Sequence, residues 1–147
     1  MRRAFVIVSA VLLAAFALQF VFAAVGAFTK PAGDGAYALH SITGMVVIPL
    51  LSLLTMVCAA LARAPGRVVA QSVLPLGLVL LQALIAVLAN AFTDASGAST
   101  ALSLTIGALH AVNGIIAVHV VVGVLQAAEK LAAGRPAENP AVEKSPA

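Results

Sequence analysis

Two histidines in apolar surroundings are the residues of this chain best suited to chemistry. His40 lies in the segment Leu-His-Ser-Ile-Thr-Gly, and His110 lies in the segment Leu-His-Ala-Val-Asn-Gly. Helix positions i, i+3 and i+4 share a face, so each imidazole is expected to point the same way as a small polar side chain and a glycine. These companions are Thr43 and Gly44 in the first segment and Asn113 and Gly114 in the second. Such a face suits a flat ligand or a tightly packed partner helix.

A glutamine precedes each histidine segment at a corresponding place in the chain. Gln19 leads through Gly-Ala-Phe-Thr to His40, and Gln82 leads through Asn-Ala-Phe-Thr to His110. Because the same features recur in the same order, the sequence predicts an internal repeat of two hairpins.

The two copies differ in the spacing before the histidine. Eleven positions separate Thr29 from His40, whereas seventeen separate Thr93 from His110. The six extra residues could form either a longer loop or an earlier start of the fourth helix. If all six were helical, His110 would lie about 9 Å deeper in the membrane than His40. Since the repeat puts the two motifs at corresponding points, we expect the longer loop.

The composition predicts an integral membrane protein. The chain has 147 residues, of which 63% are hydrophobic and 9% are charged, whereas a soluble domain carries about 25% charged residues. The formal net charge of +3 arises from loops and tails, where membrane topology explains it better than nucleic-acid binding does. The single cysteine, Cys58, excludes an internal disulfide and is interpreted as a small apolar residue.

Four apolar segments are each long enough for the roughly 20 residues that a membrane-spanning helix needs. They cover about residues 4–28, 36–62, 68–92 and 101–128. We therefore predict an all-α integral membrane protein, with four transmembrane helices in an up-down bundle built from two hairpin repeats. Residues 1–128 form this domain, and the charged, proline-containing residues 129–147 are predicted to be a disordered tail. Ser99 or Thr100 is expected to cap the fourth helix.

The distribution of Lys and Arg predicts the orientation of the helices. Lys30 is alone on one side of the predicted spans. The basic residues on the other side are Arg2, Arg3, Arg63, Arg67, Lys130, Arg135 and Lys144. The positive-inside rule then places both termini in the cytoplasm of a multi-pass protein of the cell (inner) membrane.

The duplicated histidine favours a haem site. Imidazole is a standard axial ligand of haem iron, and cofactor sites in bundles are built from facing helices. His40 and His110 are therefore candidate ligands of the iron of a single haem b, for electron transfer or haem handling with a membrane redox partner. The candidates for lining the site are Thr43, Gly44, Asn113 and Gly114. Gln19 and Gln82 are the candidates for orienting the imidazole N–H groups.

A second interpretation needs no cofactor. The histidines and glutamines would bond one another across the bundle, at about 0.6–2 kcal/mol for each bond. The protein would then be a structural or partner subunit of a membrane complex. A catalytic role ranks third, because the predicted spans contain no Asp, Glu, Lys or Arg and no nucleophile beside a base.

The third histidine, His119, is nine positions after His110 and falls on the opposite face of the same predicted helix. The favoured interpretation is a neutral histidine that faces an interface or bonds a carbonyl group. Contact with a second protomer is the alternative.

Several of these segments resemble a family of small bacterial four-span membrane proteins of unknown function. They are Gln19-Phe20 with the following Ala-Val-Gly-Ala-Phe, His40-x-x-x-Gly44, and Leu109-His110-Ala-Val-Asn113-Gly. This resemblance covers about residues 4–128 and implies the fold but no activity. More distantly, one histidine on each even-numbered helix resembles half of a haem A synthase or a reduced cytochrome b561, which implies haem ligation by His40 and His110. The chain lacks the His-Arg pair of the former and the paired histidines of the latter.

Overall fold

Four long helices make up most of the protein. The computed structural model describes residues 1–31, 33 and 35–134, and no strand occurs among them. The helices are α1 (Arg2–Phe28), α2 (Ala38–Leu61), α3 (Gly66–Ala91) and α4 (Ala101–Ala132), and each is long and apolar enough to cross a membrane. Helices of this length measure about 36–48 Å, which exceeds a hydrocarbon core of about 30 Å. Residues 135–147, where most of the disordered tail was predicted, lie outside the described residues.

The helices form an up-down bundle. α1 packs on α2 and α4, and α3 packs on the same two helices. The predicted fold class, an all-α four-helix membrane bundle, is confirmed. We call one end of the bundle the basic end, because it carries Arg2, Arg3, Arg63, Arg67 and Lys130. The other end is the loop end, where residues 29–37 and 92–100 connect the helices.

The first turn of α4 carries a capping box. The Thr100 hydroxyl accepts a bond from the Ser103 amide at 3.1 Å, and the Ser103 hydroxyl accepts one from the Thr100 amide at 2.9 Å. Thr100 also donates to the Phe92 carbonyl at 2.6 Å, which fixes the loop to the helix that it starts. Of the two predicted caps, Thr100 is therefore the one used.

We expect Thr100→Ala to lower the free energy of unfolding by about 1 kcal/mol, because the first turn loses its cap. The neighbouring Ser99 makes no hydrogen bond within the described residues, so Ser99→Ala is the matched control. Reversible unfolding by sodium dodecyl sulfate in mixed micelles, followed by helical circular dichroism, measures both variants. Equal effects of the two substitutions would contradict the capping role.

The loop before α4 is held by a carboxylate. Asp94 accepts bonds from the hydroxyl and the amide of Ser96 and from the amide of Ala98, at 2.6, 2.8 and 2.9 Å. These bonds, with that from the Ser96 hydroxyl the strongest, lower the pKa of the Asp94 carboxyl below its usual value.

A π-helical turn interrupts α2 directly after His40. It covers Thr43–Val47, and the Ile48 amide bonds to the Thr43 carbonyl five residues back. The cause lies at Pro49, which has no amide hydrogen and whose ring clashes with the carbonyl four residues earlier in a regular α-helix. Wider turns of this type often occur at functional sites. The corresponding part of α4 has no proline and stays α-helical.

The buried apolar core occupies the basic end and the middle of the bundle. One cluster comprises Phe5, Cys58, Ala59, Ala62, Val68, Val124 and Ala128. The next comprises Leu12, Ala15, Phe16, Ile48, Val79, Ala117 and Val121. Small hydroxyl side chains between the helices bond carbonyls of their own helix, as Ser9, Ser52 and Thr55 do at 2.7–2.8 Å. Close packing of small side chains stabilises helix pairs in lipid, where the hydrophobic effect contributes little.

Candidate functional site

A cavity of about 270 Å³ lies on the loop-end side of the core. All four helices line it, and its base is formed by Phe16, Ile48, Val79 and Ala117, which also belong to the central core cluster. The polar side chains at its wall are Gln19, His40, Ser41, Gln82, His110 and Asn113. The structure thus brings both histidines and both glutamines of the sequence analysis to one place.

The two imidazoles lie close together at this cavity. Their ring centroids are 6.1 Å apart, and the ring planes are inclined by 46°. No hydrogen bond joins them within the described residues. The contact also fixes their relative depth, because rings this close must lie at nearly the same level of the membrane.

The extra residues before His110 are helical, which contradicts the expected longer loop. The loops at residues 29–37 and 92–100 have nine residues each, whereas α4 begins nine residues before His110 and α2 only two before His40. α4 therefore starts farther out at the loop end. The capping box at Thr100 stabilises this early start, which the spacing alone did not reveal.

The hydrogen bond of the His40 imidazole determines its tautomer. Its Nδ1 lies 3.1 Å from the main-chain carbonyl oxygen of Gln19. A carbonyl accepts only, so Nδ1 carries the proton and Nε2 of the neutral ring keeps its lone pair. The edge of the Tyr37 ring packs beside it, with centroids 6.4 Å apart. In its neutral form His40 is thus oriented with Nε2 free to accept a bond.

The two glutamine side chains donate hydrogen bonds to the main-chain carbonyls of the histidines and make no hydrogen bond to either imidazole. Gln19 Nε2 donates to the His40 carbonyl at 3.0 Å, and Gln82 Nε2 donates to the His110 carbonyl at 2.7 Å. The predicted role of both side chains in orienting the imidazole N–H groups is therefore wrong. These amides are committed to carbonyl oxygens of the neighbouring helix, and the carbonyl of Gln19 orients His40 instead.

Asn113 and Thr43, which occupy the same place in the two motifs, differ in what they contact. The Asn113 amide nitrogen donates to the Gln82 side-chain oxygen and, at 2.9 Å, to the Leu78 carbonyl. Thr43 does not line the cavity, and its hydroxyl makes no hydrogen bond within the described residues. Thr43 follows His40 in regular α-helical geometry and is the first residue of the π-helical turn. The predicted lining role therefore fails for Thr43.

The two motif glycines allow close approach to different degrees. A Cβ on Gly44 would lie 2.5 Å from Gln19 Nε2, so this glycine makes room for the amide that bonds His40. A Cβ on Gly114 would meet Phe20 at 3.6 Å, which is an ordinary contact. The sequence analysis missed the small side chains that widen the cavity between the helices. They are Ala23, Ala83, Ala86 and Ala111, and the abundance of alanine in the chain hides any signal from them.

Two buried polar atoms at the cavity have no hydrogen-bond partner in the described part of the chain. They are Gln19 Oε1 and His110 Nδ1. Comparison of the two hairpins explains both atoms. Asn113 donates a hydrogen bond to the Gln82 side-chain oxygen, whereas Thr43 donates none to the Gln19 side-chain oxygen. The Gln82 main-chain carbonyl accepts no hydrogen bond from the His110 ring. Each such atom costs about 1–3 kcal/mol when buried. Polar groups of a bound molecule would lower that cost.

These observations define the class of the protein as a four-helix integral membrane protein with a histidine-lined cavity between its helices. Residues 19–93 match the family of unknown function DUF6220, and the chain belongs to that family. The matched segment contains Gln19, His40 and Gln82, but not His110. No curated protein and no solved structure matches the chain, so the resemblance to haem A synthase and cytochrome b561 stays a prediction from the sequence.

Proposed function

We propose that the protein binds a single haem b through His40 and His110 and serves electron transfer or haem handling in the membrane. The observation that carries this proposal is the close pair of imidazoles at the cavity. Imidazole is a common ligand of haem iron. With ring centroids 6.1 Å apart, both rings would be within reach of one iron held between α2 and α4.

The chemistry of the donor atoms also fits. His40 keeps an unprotonated Nε2 because its Nδ1–H is bonded to the Gln19 carbonyl. A hydrogen bond of this type, from the non-ligating nitrogen to a carbonyl, is the usual support of a metal-bound histidine. Bound haem would supply a one-electron couple, whose potential depends on the axial ligands and the polarity around them. The apolar base of the cavity, formed by residues such as Phe16 and Ile48, excludes water from that side.

The cavity volume is the less favourable part of the fit. At about 270 Å³, it is slightly below the range of about 300–1,000 Å³ common for ligand pockets, and a porphyrin needs more. Its walls carry several small residues, alanine and glycine, so the Gln19 and Gln82 side chains are the main obstacles. We expect haem to displace these amides and to widen the space between α1 and α3.

The proposal includes an orientation in the membrane. By the positive-inside rule, the Lys and Arg residues of the basic end favour the cytoplasmic side of the cell (inner) membrane for that end and both termini, with the loop end facing outward. The two hairpins form an internal repeat related by an axis along the membrane normal. Support comes from the matching bonds of Gln19 and Gln82 to the histidine carbonyls. An electron donor or acceptor would reach the haem from the outer half of the membrane.

The test is the visible spectrum of the detergent-purified protein, oxidised and dithionite-reduced, during titration with haem. We expect one haem for each chain and a low-spin spectrum in both redox states. His119→Ala is the matched control, because His119 does not line the cavity, and it should bind haem as the parent does. A parent that stays colourless after haem addition would overturn the proposal.

The cofactor-free interpretation is supported by a different observation. Gln19, Gln82 and Asn113 already form bonds between helices without a ligand. In this alternative the polar groups specify the bundle, and the protein is a structural or partner subunit of a membrane complex. A colourless parent whose stability falls when these side chains are removed would favour it.

A further inference from the structure

Three polar side chains of α3 and α4 lie away from the cavity, at or beside the outer surface. His119 and Gln126 are exposed, and because they are seven residues apart they share one face of α4. Gln71 of α3 is partly buried and lies beside this face, since a Cβ on Gly123 would lie 2.6 Å from its Nε2. We call the surface formed by Gln71, His119 and Gln126 the polar seam.

The polar seam is unusual for a surface in contact with lipid. None of its three side chains has a hydrogen bond within the described residues. His119 is eleven residues from Lys130, which places it about 16 Å from the basic end and near the middle of a hydrocarbon core of about 30 Å. Ionisable side chains at that depth almost always face a protein interior or a partner. The seam therefore needs a partner with hydrogen-bonding groups at the same depths.

We propose that the polar seam is the contact between two copies of this chain. All copies insert in one orientation, so a two-fold axis along the membrane normal brings each seam residue opposite itself at equal depth. A neutral imidazole and a primary amide each contain both a donor and an acceptor. His119 can therefore bond His119 of a second copy, and Gln126 can bond Gln126. A second copy has these polar groups at the same two depths as a matter of course, whereas a different protein would have them there only by coincidence.

The apolar residues beside the seam support close packing of two α4 helices. Ile115 and Ile116 lie one turn from His119 and are both largely exposed. Helix pairs in membranes combine such packing with a few bonds between polar side chains. This inference does not depend on haem, because the seam and the cavity share no residue.

The experiment is oxidative cross-linking with copper phenanthroline in native membranes. Ile115→Cys places a thiol beside the seam while His119 stays intact, and the wild-type chain, whose Cys58 is buried, gives the background. Val46→Cys is the matched control. Ile115 and Val46 are 58% and 51% exposed and lie at similar depth, five and six residues after the paired histidines, but α2 is diagonally opposite α4. We expect a disulfide-linked dimer from Ile115→Cys and none from Val46→Cys.

A second variant tests whether the polar side chains stabilise the dimer. Leucine is stable in lipid, so His119→Leu should leave the fold intact and weaken the dimer about three- to ten-fold in dissociation constant, the range expected for one bond between membrane helices. Fluorescence energy transfer between labelled copies in lipid vesicles measures that constant. Cross-linking equal in the two cysteine variants, a monomer at all lipid dilutions, or a dimer unaffected by His119→Leu would overturn the proposal.

Discussion

His40→Ala and His110→Ala are each expected to abolish the low-spin spectrum of the haem-loaded protein. A bis-histidine site requires both imidazoles, so the removal of either leaves a five-coordinate, high-spin iron or no bound haem. Absorption spectra of the oxidised and reduced variants, together with the haem content of each chain, measure the loss. The expected change is complete for either variant, since no other histidine lines the cavity.

Added imidazole separates the loss of a ligand from the loss of the fold. If the alanine variants keep their helices, free imidazole should enter the space left by the missing ring and restore the low-spin spectrum. His119→Ala should need no rescue. A low-spin spectrum that survives in both single variants would show that these two histidines are not the ligands. Helical circular dichroism confirms that each variant is folded.

Much of the architecture could be predicted because lipid imposes simple rules. Four apolar segments of sufficient length require four helices, and short connections require neighbours that run antiparallel. The repeat of Gln19 and Gln82 before His40 and His110 also located the residues that the bundle brings together. Capping by Thr100 could be predicted because an N-cap depends only on residues next to the start of the helix.

What could not be predicted depends on contacts between helices. The i+3 rule placed Thr43 beside His40, but the Thr43 side chain does not line the cavity, and only the structure shows this. The glutamines were assigned to the imidazoles, whereas their amides bond main-chain carbonyls that only the packed structure brings within reach. The apolar pattern did predict that the fourth helix begins at residue 101, but the expected longer loop before His110 was wrong, because the extra residues are helical.

Asn113 and Thr43 occupy the same place in the two sequence motifs but make different contacts. Asn113 fastens α4 to α3 through Gln82 and the Leu78 carbonyl. Thr43 leaves the corresponding oxygen of Gln19 without a partner in the described residues. Each hairpin is thus joined by the bond from its glutamine to its histidine carbonyl. Each also keeps one buried polar atom at the cavity without a partner in the described residues, Gln19 Oε1 in the first and His110 Nδ1 in the second.

Asn113→Ala should lower the free energy of unfolding by about 1–3 kcal/mol, because two bonds between helices are lost and the Gln82 oxygen stays buried without a donor. Thr43→Ala is the matched control at the corresponding position and should change stability by about 0.5 kcal/mol or less. Unfolding by sodium dodecyl sulfate measures both variants. A double-mutant cycle with Gln82→Ala should give a coupling of about 0.5–3 kcal/mol with Asn113 and none with Thr43. If the two alanine variants are equally stable, the Asn113–Gln82 bond contributes nothing, and the packing of α3 on α4 must be due to their apolar side chains.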